Sequence, residues 1–160
     1  MDNPAVSDSS ANAAPAVDQT APDSSFLRTL VGYNTRRATL RIFEVFHDRM
    51  RDFGLNPVEF SVLSLIGRNA GITARQICEE LAMPPPKLAK LLAVLDRRAL
   101  IHREATQADR RAFHLSLTPD GHRLRAQVEP IVQQLEVEAS AQLTDRQRDM
   151  VNSLLQRIYR

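Results

Sequence analysis

The sequence predicts a mainly α-helical fold with one small β-hairpin, and three observations support this prediction. Most apolar residues recur at helical spacings of three and four positions. The spacing changes to two only between residues 100 and 118. Aromatic residues make up only 5% of the 160 residues and glycine occurs only 5 times, which disfavours a β-sandwich or a β-barrel.

Residues 1–25 are predicted to form a disordered acidic tail, because they contain almost no large apolar side chain. The tail carries four Asp and no Lys or Arg, so residues 26–160 hold all 21 basic side chains against 15 acidic ones. It has neither the basic start nor the apolar stretch of a secretory signal, and nothing elsewhere is apolar enough to span a membrane. One Cys excludes an internal disulfide framework. These features predict a cytoplasmic protein with one folded domain and no membrane partner.

Three helices are predicted in the first half of the domain. A long first helix over residues 26–53 follows the helical apolar spacing and ends at Gly54, a favourable residue just after a helix. The second helix begins with Asn56 as N-cap, Pro57 at its first position and Glu59 as the capping-box partner. The third helix begins with the equivalent pair Thr73 and Gln76.

The fourth predicted helix is amphipathic. Prolines 84–86 cannot lie inside a helix but can open one, because the first-turn N–H groups have no intrahelical partner. The buried face is predicted to consist of four leucines, namely Leu88, Leu91, Leu92 and Leu95. The outward face is basic and otherwise small, with Lys87 on its flank, and comprises Pro86, Lys90, Ala93 and Arg97.

Residues 100–104 and 111–118 are predicted to form the two strands of the hairpin. Thr118 and Pro119 then start a fifth helix that reaches about Ala141 and is expected to kink at Pro130. Thr144 with Gln147 caps a sixth helix that carries an apolar stripe to Ile158.

This order of elements predicts a winged helix-turn-helix over residues 55–118. The fourth helix is the recognition helix and the hairpin is the wing. Between residues 82 and 114 there are seven Lys or Arg against three acidic residues, which favours double-stranded DNA as the partner. The candidate DNA-binding residues are Thr73, Pro86, Lys87, Lys90, Arg97, Arg103, Arg110 and Arg111.

A winged helix does not require the outer helices, which are predicted over residues 26–53 and 119–160. Their apolar stripes would remain partly exposed in a monomer, so they are interpreted as dimerisation helices. A homodimer also matches the two-fold symmetry of a palindromic operator.

Two segments resemble the MarR family of bacterial transcriptional regulators. DRRAFHLSLTPDG at residues 109–121 resembles that family's wing pattern of D-x-R followed by L-x-L-T-x-x-G, and LDRRALIHRE at residues 95–104 resembles the preceding helix end and strand. In element order the resemblance covers residues 26–160. It implies an obligate dimer with intertwined outer helices, a wing braced by Asp109 and an Arg111 that enters the minor groove.

The same resemblance implies a small aromatic or anionic effector, bound in a crevice between the dimer helices and the DNA-binding lobe. The effector would act by releasing a repressor from DNA. Candidate ligand-binding residues on the first helix are Tyr33, Arg36, Phe43 and His47. Core or dimer contacts are the alternative role for these four side chains.

Two departures from the family pattern support an alternative function. Ala99 stands where the family usually has Gly, and prolines 84–86 replace a polar cap. An Ala in a left-handed conformation would cost about 1 kcal/mol, so the helix is expected to end differently here. The alternative is a winged-helix protein-interaction module without a specific operator.

The sequence offers no enzyme site and implies no cofactor, because none of the phosphate-loop, nucleophile-elbow or zinc-protease motifs occurs. The four histidines show no metal-binding spacing, although His102 and His114 could face each other across the hairpin. Cys78 is a candidate redox switch, but a small core residue is the favoured interpretation.

Overall fold

The computed structural model describes residues 22–105 and 113–159. The predicted first helix is wrong in one respect, since it is divided into α1 (Ser25–Arg28), α2 (Val31–Met50) and a 3₁₀ turn (Arg51–Phe53). Leu30 is extended, and the side-chain amide of Asn34 donates to the carbonyls of Arg28 (2.8 Å) and Leu30 (2.9 Å). The helix breaks where this local side chain satisfies carbonyl groups near the helix end.

The helices of the next segment begin where the sequence predicts. α3 (Pro57–Arg68) has a complete capping box between Asn56 and Glu59. α4 (Ala74–Glu80) has the equivalent box between Thr73 and Gln76. α5 (Pro85–Arg97) opens within the proline run. Each of the two polar caps satisfies backbone N–H groups that a helix start otherwise leaves unpaired.

A three-stranded antiparallel sheet has the order β1–β3–β2, where β1 is Ile72–Thr73, β2 is Ile101–Ala105 and β3 is Phe113–Leu117. The predicted hairpin is confirmed, whereas the sequence pattern does not predict the two-residue β1. His102 lies opposite Ser116 and His114 lies opposite Glu104, so the two histidines do not face each other directly.

Two long helices complete the chain. α6 (Pro119–Ala139) has Thr118 as its N-cap and continues as a helix through Pro130. α7 (Asp145–Tyr159) begins after Thr144, whose backbone N–H donates to the Gln147 side chain at 2.8 Å. None of the described helices has the length and apolar character needed to cross a membrane.

The core lies between the C-terminal half of α2, the α3–α5 lobe, the sheet and α6. Leu91, predicted as buried with the other leucines of α5, is only half-buried. α1 and α7 contribute no buried residue. The buried set is Val45, Phe46, Met50, Leu55, Val62, Leu63, Ile66, Ile77, Met83, Leu88, Leu92, Leu95, Leu100, Ile101, Leu115, Leu117, Val128 and Leu135.

Gly121 in the first turn of α6 allows a close approach between α6 and the backbone of Leu100. A Cβ atom at this position would overlap the backbone carbonyl oxygen of Leu100 and press against the Cβ of Leu117. Because the obstacle is backbone, no side-chain rotation can relieve the overlap.

We expect Gly121→Ala to lower the free energy of unfolding by about 3 kcal/mol, since the start of α6 would have to move away from Leu100. Urea denaturation followed by circular dichroism measures the change. His122→Ala, at the exposed neighbouring position of the same turn, is the control and should change stability by under about 0.5 kcal/mol. Equal stability of the two variants would contradict the close approach.

Candidate nucleic-acid interface

α4 and α5 form a helix-turn-helix whose turn is closed by backbone hydrogen bonds. The N–H of Met83 donates to the Cys78 carbonyl at 2.9 Å, and the N–H of Ala82 donates to the Glu79 carbonyl at 3.4 Å. Ala82 takes the left-handed conformation that this closure requires, with φ at +46°. The turn is therefore fixed by its own backbone and presents the start of α5 outward.

α5 ends in the same type of closure. Leu100 N–H donates to the Leu95 carbonyl at 3.0 Å and Ala99 N–H donates to the Asp96 carbonyl at 2.8 Å. Ala99 has φ at +54°, so the expectation that this helix would end differently is wrong. The buried Leu95 and Leu100 flank the closure, and their burial offsets the strain of a left-handed Ala.

The outward face of α5 is basic, as the sequence predicts. Lys87, Lys90 and Arg97 are exposed, and so is Pro86. The opposite face is buried through Leu88, Leu92 and Leu95. Lys87 and Lys90 are the only two lysines in the whole sequence, so all of the chain's lysine ammonium groups lie on this helix.

Two other predicted DNA-binding residues have partners within the protein. Thr73 caps α4, and its backbone N–H and hydroxyl both bond the Gln76 side chain at 2.9 Å. Arg103 lies on β2, with its Nε 3.3 Å from Oδ2 of Asp96 at the end of α5. The structure thus uses Arg103 to hold the wing against the recognition helix.

Asp109, Arg110 and Arg111 lie outside the described residues. Their predicted roles as wing brace and DNA contacts therefore stay predictions.

Arg98 is an anchoring residue that the sequence pattern does not single out. Its guanidinium donates to the carbonyls of Gly54 at 2.7 Å and Phe53 at 2.8 Å. These contacts tie the end of α5 to the turn that follows α2. No local pattern reveals them, because the partners are more than 40 residues apart in sequence.

Thr118 joins the end of α5 to the start of α6. Its hydroxyl donates to the Ala99 carbonyl at 2.7 Å and accepts from the Gly121 N–H at 3.1 Å, while its own N–H donates to the Leu100 carbonyl at 3.1 Å. In the L-x-L-T-x-x-G pattern, the two leucines are therefore the buried strand residues Leu115 and Leu117. The threonine forms this junction, and the glycine permits the close approach at Gly121.

The four candidate ligand-binding residues lie on α2 but do not share one cavity. Arg36 and Phe43 line an apolar cleft of about 850 Å³ between α2 and α7. Phe43 also borders a second cleft, of about 280 Å³, that reaches α3, the α4–α5 turn and Lys87. His47 borders a third cleft, beside Gly54 and Glu59. Tyr33 is half-buried and lines none of these three clefts.

Cys78 is half-buried in α4 and borders a cleft between α4 and α5. Within residues 22–105 and 113–159, no group of three His, Cys, Asp or Glu side chains is placed to hold a metal ion.

Comparisons with known proteins agree with this geometry. The family model for the MarR family matches residues 53–112. The chain is 28% identical over 131 residues to a putative transcriptional regulatory protein for the hcr operon of Thauera aromatica, covering 81% of this chain and 79% of that protein.

Solved structures extend the similarity to nearly the whole described chain. A transcriptional repressor, CouR, bound to a 23-mer DNA duplex matches with a TM-score of 0.82 and 32% identity over 88% of this chain and 100% of that one. Bordetella bronchiseptica BpsR, whose DNA binding is regulated by 6-hydroxynicotinic acid, matches with a TM-score of 0.75 and 25% identity over 81% and 92%. These similarities support a DNA-binding regulator and not an interaction module.

Substitution of the left-handed Ala99 tests the assigned C-terminal end of α5. We expect Ala99→Gly to raise the free energy of unfolding by about 0.5–1 kcal/mol, because Gly adopts this conformation without a Cβ clash. Ala89→Gly, the same change inside α5 at an exposed position, should lower it by about 1 kcal/mol. Urea denaturation of both variants measures the difference, and a loss of stability in Ala99→Gly would contradict the assigned helix end.

Proposed function

Since the chain belongs to the MarR family and is a DNA-binding transcriptional regulator rather than an enzyme, we propose that it is a homodimeric repressor of a palindromic operator. A small aromatic or anionic effector releases it from DNA. The observation that carries the proposal is the basic outward face of α5, whose two ends are held by hydrogen bonds on a fold shared with a DNA-bound repressor.

α5 is the proposed recognition helix. A major groove about 12 Å wide admits one helix, and the residues near its N-terminal end meet the base edges first. Pro86, Lys87 and Lys90 occupy that end, and Arg97 extends the exposed face towards the wing. Further proposed contacts come from neighbouring elements, namely Thr73, Arg103, Arg110 and Arg111.

The wing is proposed to contact the DNA beside the groove that α5 enters. Arg103 connects the two parts, because it lies on β2 and pairs with Asp96 of α5. Asp109 is proposed to brace the wing tip, and Arg111 is proposed to reach the minor groove, where Arg is favoured.

The proposed dimer rests on apolar side chains exposed in the single chain. They lie on α1, on α2 and along α7, and they include Phe26, Leu27, Leu30, Val31, Leu40, Met150, Val151, Leu154, Ile158 and Tyr159. So large an apolar surface at both ends of a chain is typical of an interface. Residues 26–53 and 119–160 are therefore the proposed dimerisation helices. They lie outside the proposed winged helix-turn-helix over residues 55–118, and residues 1–25 form the proposed tail.

The proposed effector site is the cleft of about 280 Å³ between α2, α3 and the α4–α5 turn. Phe43 offers an aromatic wall, and Lys87 offers a positive charge. Because Lys87 also belongs to the DNA-facing end of α5, an anionic occupant would compete with DNA for this side chain. Arg36, His47 and Tyr33 lie on the same helix outside this cleft. The proposal places the protein in the cytoplasm, associated with the nucleoid when it is bound to DNA.

The two lysines provide the first test of the DNA-binding face. We expect Lys87→Ala and Lys90→Ala each to weaken DNA binding. Each should also reduce the slope of the logarithm of the DNA association constant against the logarithm of the salt concentration, by about 0.9 for every phosphate that is no longer neutralised. In a dimer with one such phosphate per subunit the reduction is about 2. Fluorescence anisotropy over a salt series measures both quantities.

Arg146→Ala is the matched control for these variants, because Arg146 is exposed on α7 and its substitution removes the same charge away from α5. It should leave the salt slope unchanged. Lysine variants with the wild-type slope would show that α5 does not lie against the phosphate backbone.

The dimer is tested on α7. We expect Leu154→Glu to convert the dimer to monomers, because a carboxylate would be buried without a partner in an apolar interface. Gln156→Glu, about 160° away around the same helix, should remain dimeric. Sedimentation equilibrium measures the mass, and a monomeric wild-type protein or a dimeric Leu154→Glu variant would contradict this interface.

A further inference from the structure

α5 begins without any free backbone N–H group. In most helices the first four N–H groups have no intrahelical partner and can bind an anion. Here the N-cap and the first two helical positions are Pro84, Pro85 and Pro86, which have no N–H. The N–H of Lys87 donates to the Pro84 carbonyl at 3.0 Å, and that of Leu88 donates to the same oxygen at 3.3 Å. The first turn therefore has no backbone donor to offer to a phosphate or a base.

The side chains of this turn are also poor in hydrogen-bonding groups. All three prolines are exposed, and so is Ala89 one turn later. Between Pro84 and Ala89, only Lys87 carries a side-chain donor, because Leu88 is apolar and buried. The leading edge of the recognition helix is thus a surface of CH₂ and CH₃ groups with one ammonium on its flank.

The edges of the bases differ in what they offer to such a surface. In the major groove, guanine, adenine and cytosine present hydrogen-bonding groups, whereas thymine adds the C5-methyl group. Covering a polar edge with proline rings removes its water without replacing the hydrogen bonds, which is unfavourable. Covering a methyl group removes apolar surface from water on both sides, which is favourable.

We propose that the exposed proline edge of α5, centred on Pro86, recognises the C5-methyl groups of thymines in the operator. The inference rests on the proposed function, because it requires α5 to enter the major groove with its N-terminal end leading. Pro86 is central because it lies about 160° from Leu88 around the helix, on the side away from the core. Pro85 lies nearer the buried side and borders the cleft between α4 and α5.

The test begins with duplexes selected from a random pool by the full-length protein. In the enriched duplex, each thymidine of one half-site is replaced in turn by deoxyuridine, which removes the methyl group and keeps the base pair and its other groove atoms. We expect one or two positions per half-site to weaken binding about three- to fivefold in Kd, as burial of one methyl group implies. Fluorescence anisotropy at fixed salt measures the ratio.

Pro86→Ser assigns the effect to the proline edge. The substitution removes the ring, restores a backbone N–H and adds a hydroxyl at an exposed position. The Kd values of this variant for the thymidine and deoxyuridine duplexes should then agree within a factor of about 1.5, which is roughly the precision of the method. Pro22→Ser is the control, because Pro22 is exposed ahead of α1, away from α5 and from the junction with α6, and this variant should retain the wild-type discrimination. Sedimentation and circular dichroism establish that each variant remains folded.

The outcomes separate the inference from the function on which it rests. Enrichment of no duplex would overturn the proposed operator recognition, and the inference with it. A specific duplex that binds equally well with thymidine and deoxyuridine at every position would overturn the inference alone. Methyl discrimination that persists in Pro86→Ser would equally overturn it, since another part of the protein would then contact the methyl group.

Discussion

The rest of the structure depends on the junction at which Thr118 joins the end of α5 to the start of α6. One hydroxyl donates to the Ala99 carbonyl and accepts from the Gly121 N–H, so it closes one helix and opens another. The missing side chain at Gly121 lets the two backbones touch. Because α6 belongs to the proposed dimerisation helices, this contact fixes the orientation of the recognition helix relative to the two-fold axis of the proposed dimer. A movement of α6 would therefore be transmitted to the DNA-facing side chains.

Two further contacts hold the α3–α5 lobe against the outer helices. Arg98 bonds the carbonyls of Phe53 and Gly54, which anchors α5 to the turn after α2. On α6, the Glu129 carboxylate accepts from Ser64 at 3.2 Å and from Arg68 at 3.1 Å on α3. Such polar contacts depend on geometry more than apolar packing does, so they favour one orientation of the lobe. In the proposed dimer, an effector that alters this orientation would change the spacing of the two recognition helices.

The sequence predicts the parts of this structure whose causes are local. Asn56, Thr73, Thr118 and Thr144 cap helices where the capping patterns place them, and the leucines of α5 bury the predicted face except for Leu91. The remaining features have distant or competing causes. The break before α2 depends on the Asn34 side chain. The left-handed conformation of Ala99 depends on the packing of its neighbours and on Thr118. The pairing of Arg103 with Asp96 depends on how the wing folds back. The periodic spacing of apolar residues does not predict any of these three features.

The most direct test of operator recognition is a comparison of the wild-type protein on two duplexes by fluorescence anisotropy, at a low and a physiological salt concentration. One duplex is taken from the region upstream of the protein's own gene, and the other is a scrambled sequence of the same composition. We expect the upstream duplex to bind about 1000-fold or more tightly than the scrambled one at the higher salt concentration. Equal binding of both duplexes, weakening together as salt rises, would show an electrostatic interaction alone and would contradict operator recognition by α5.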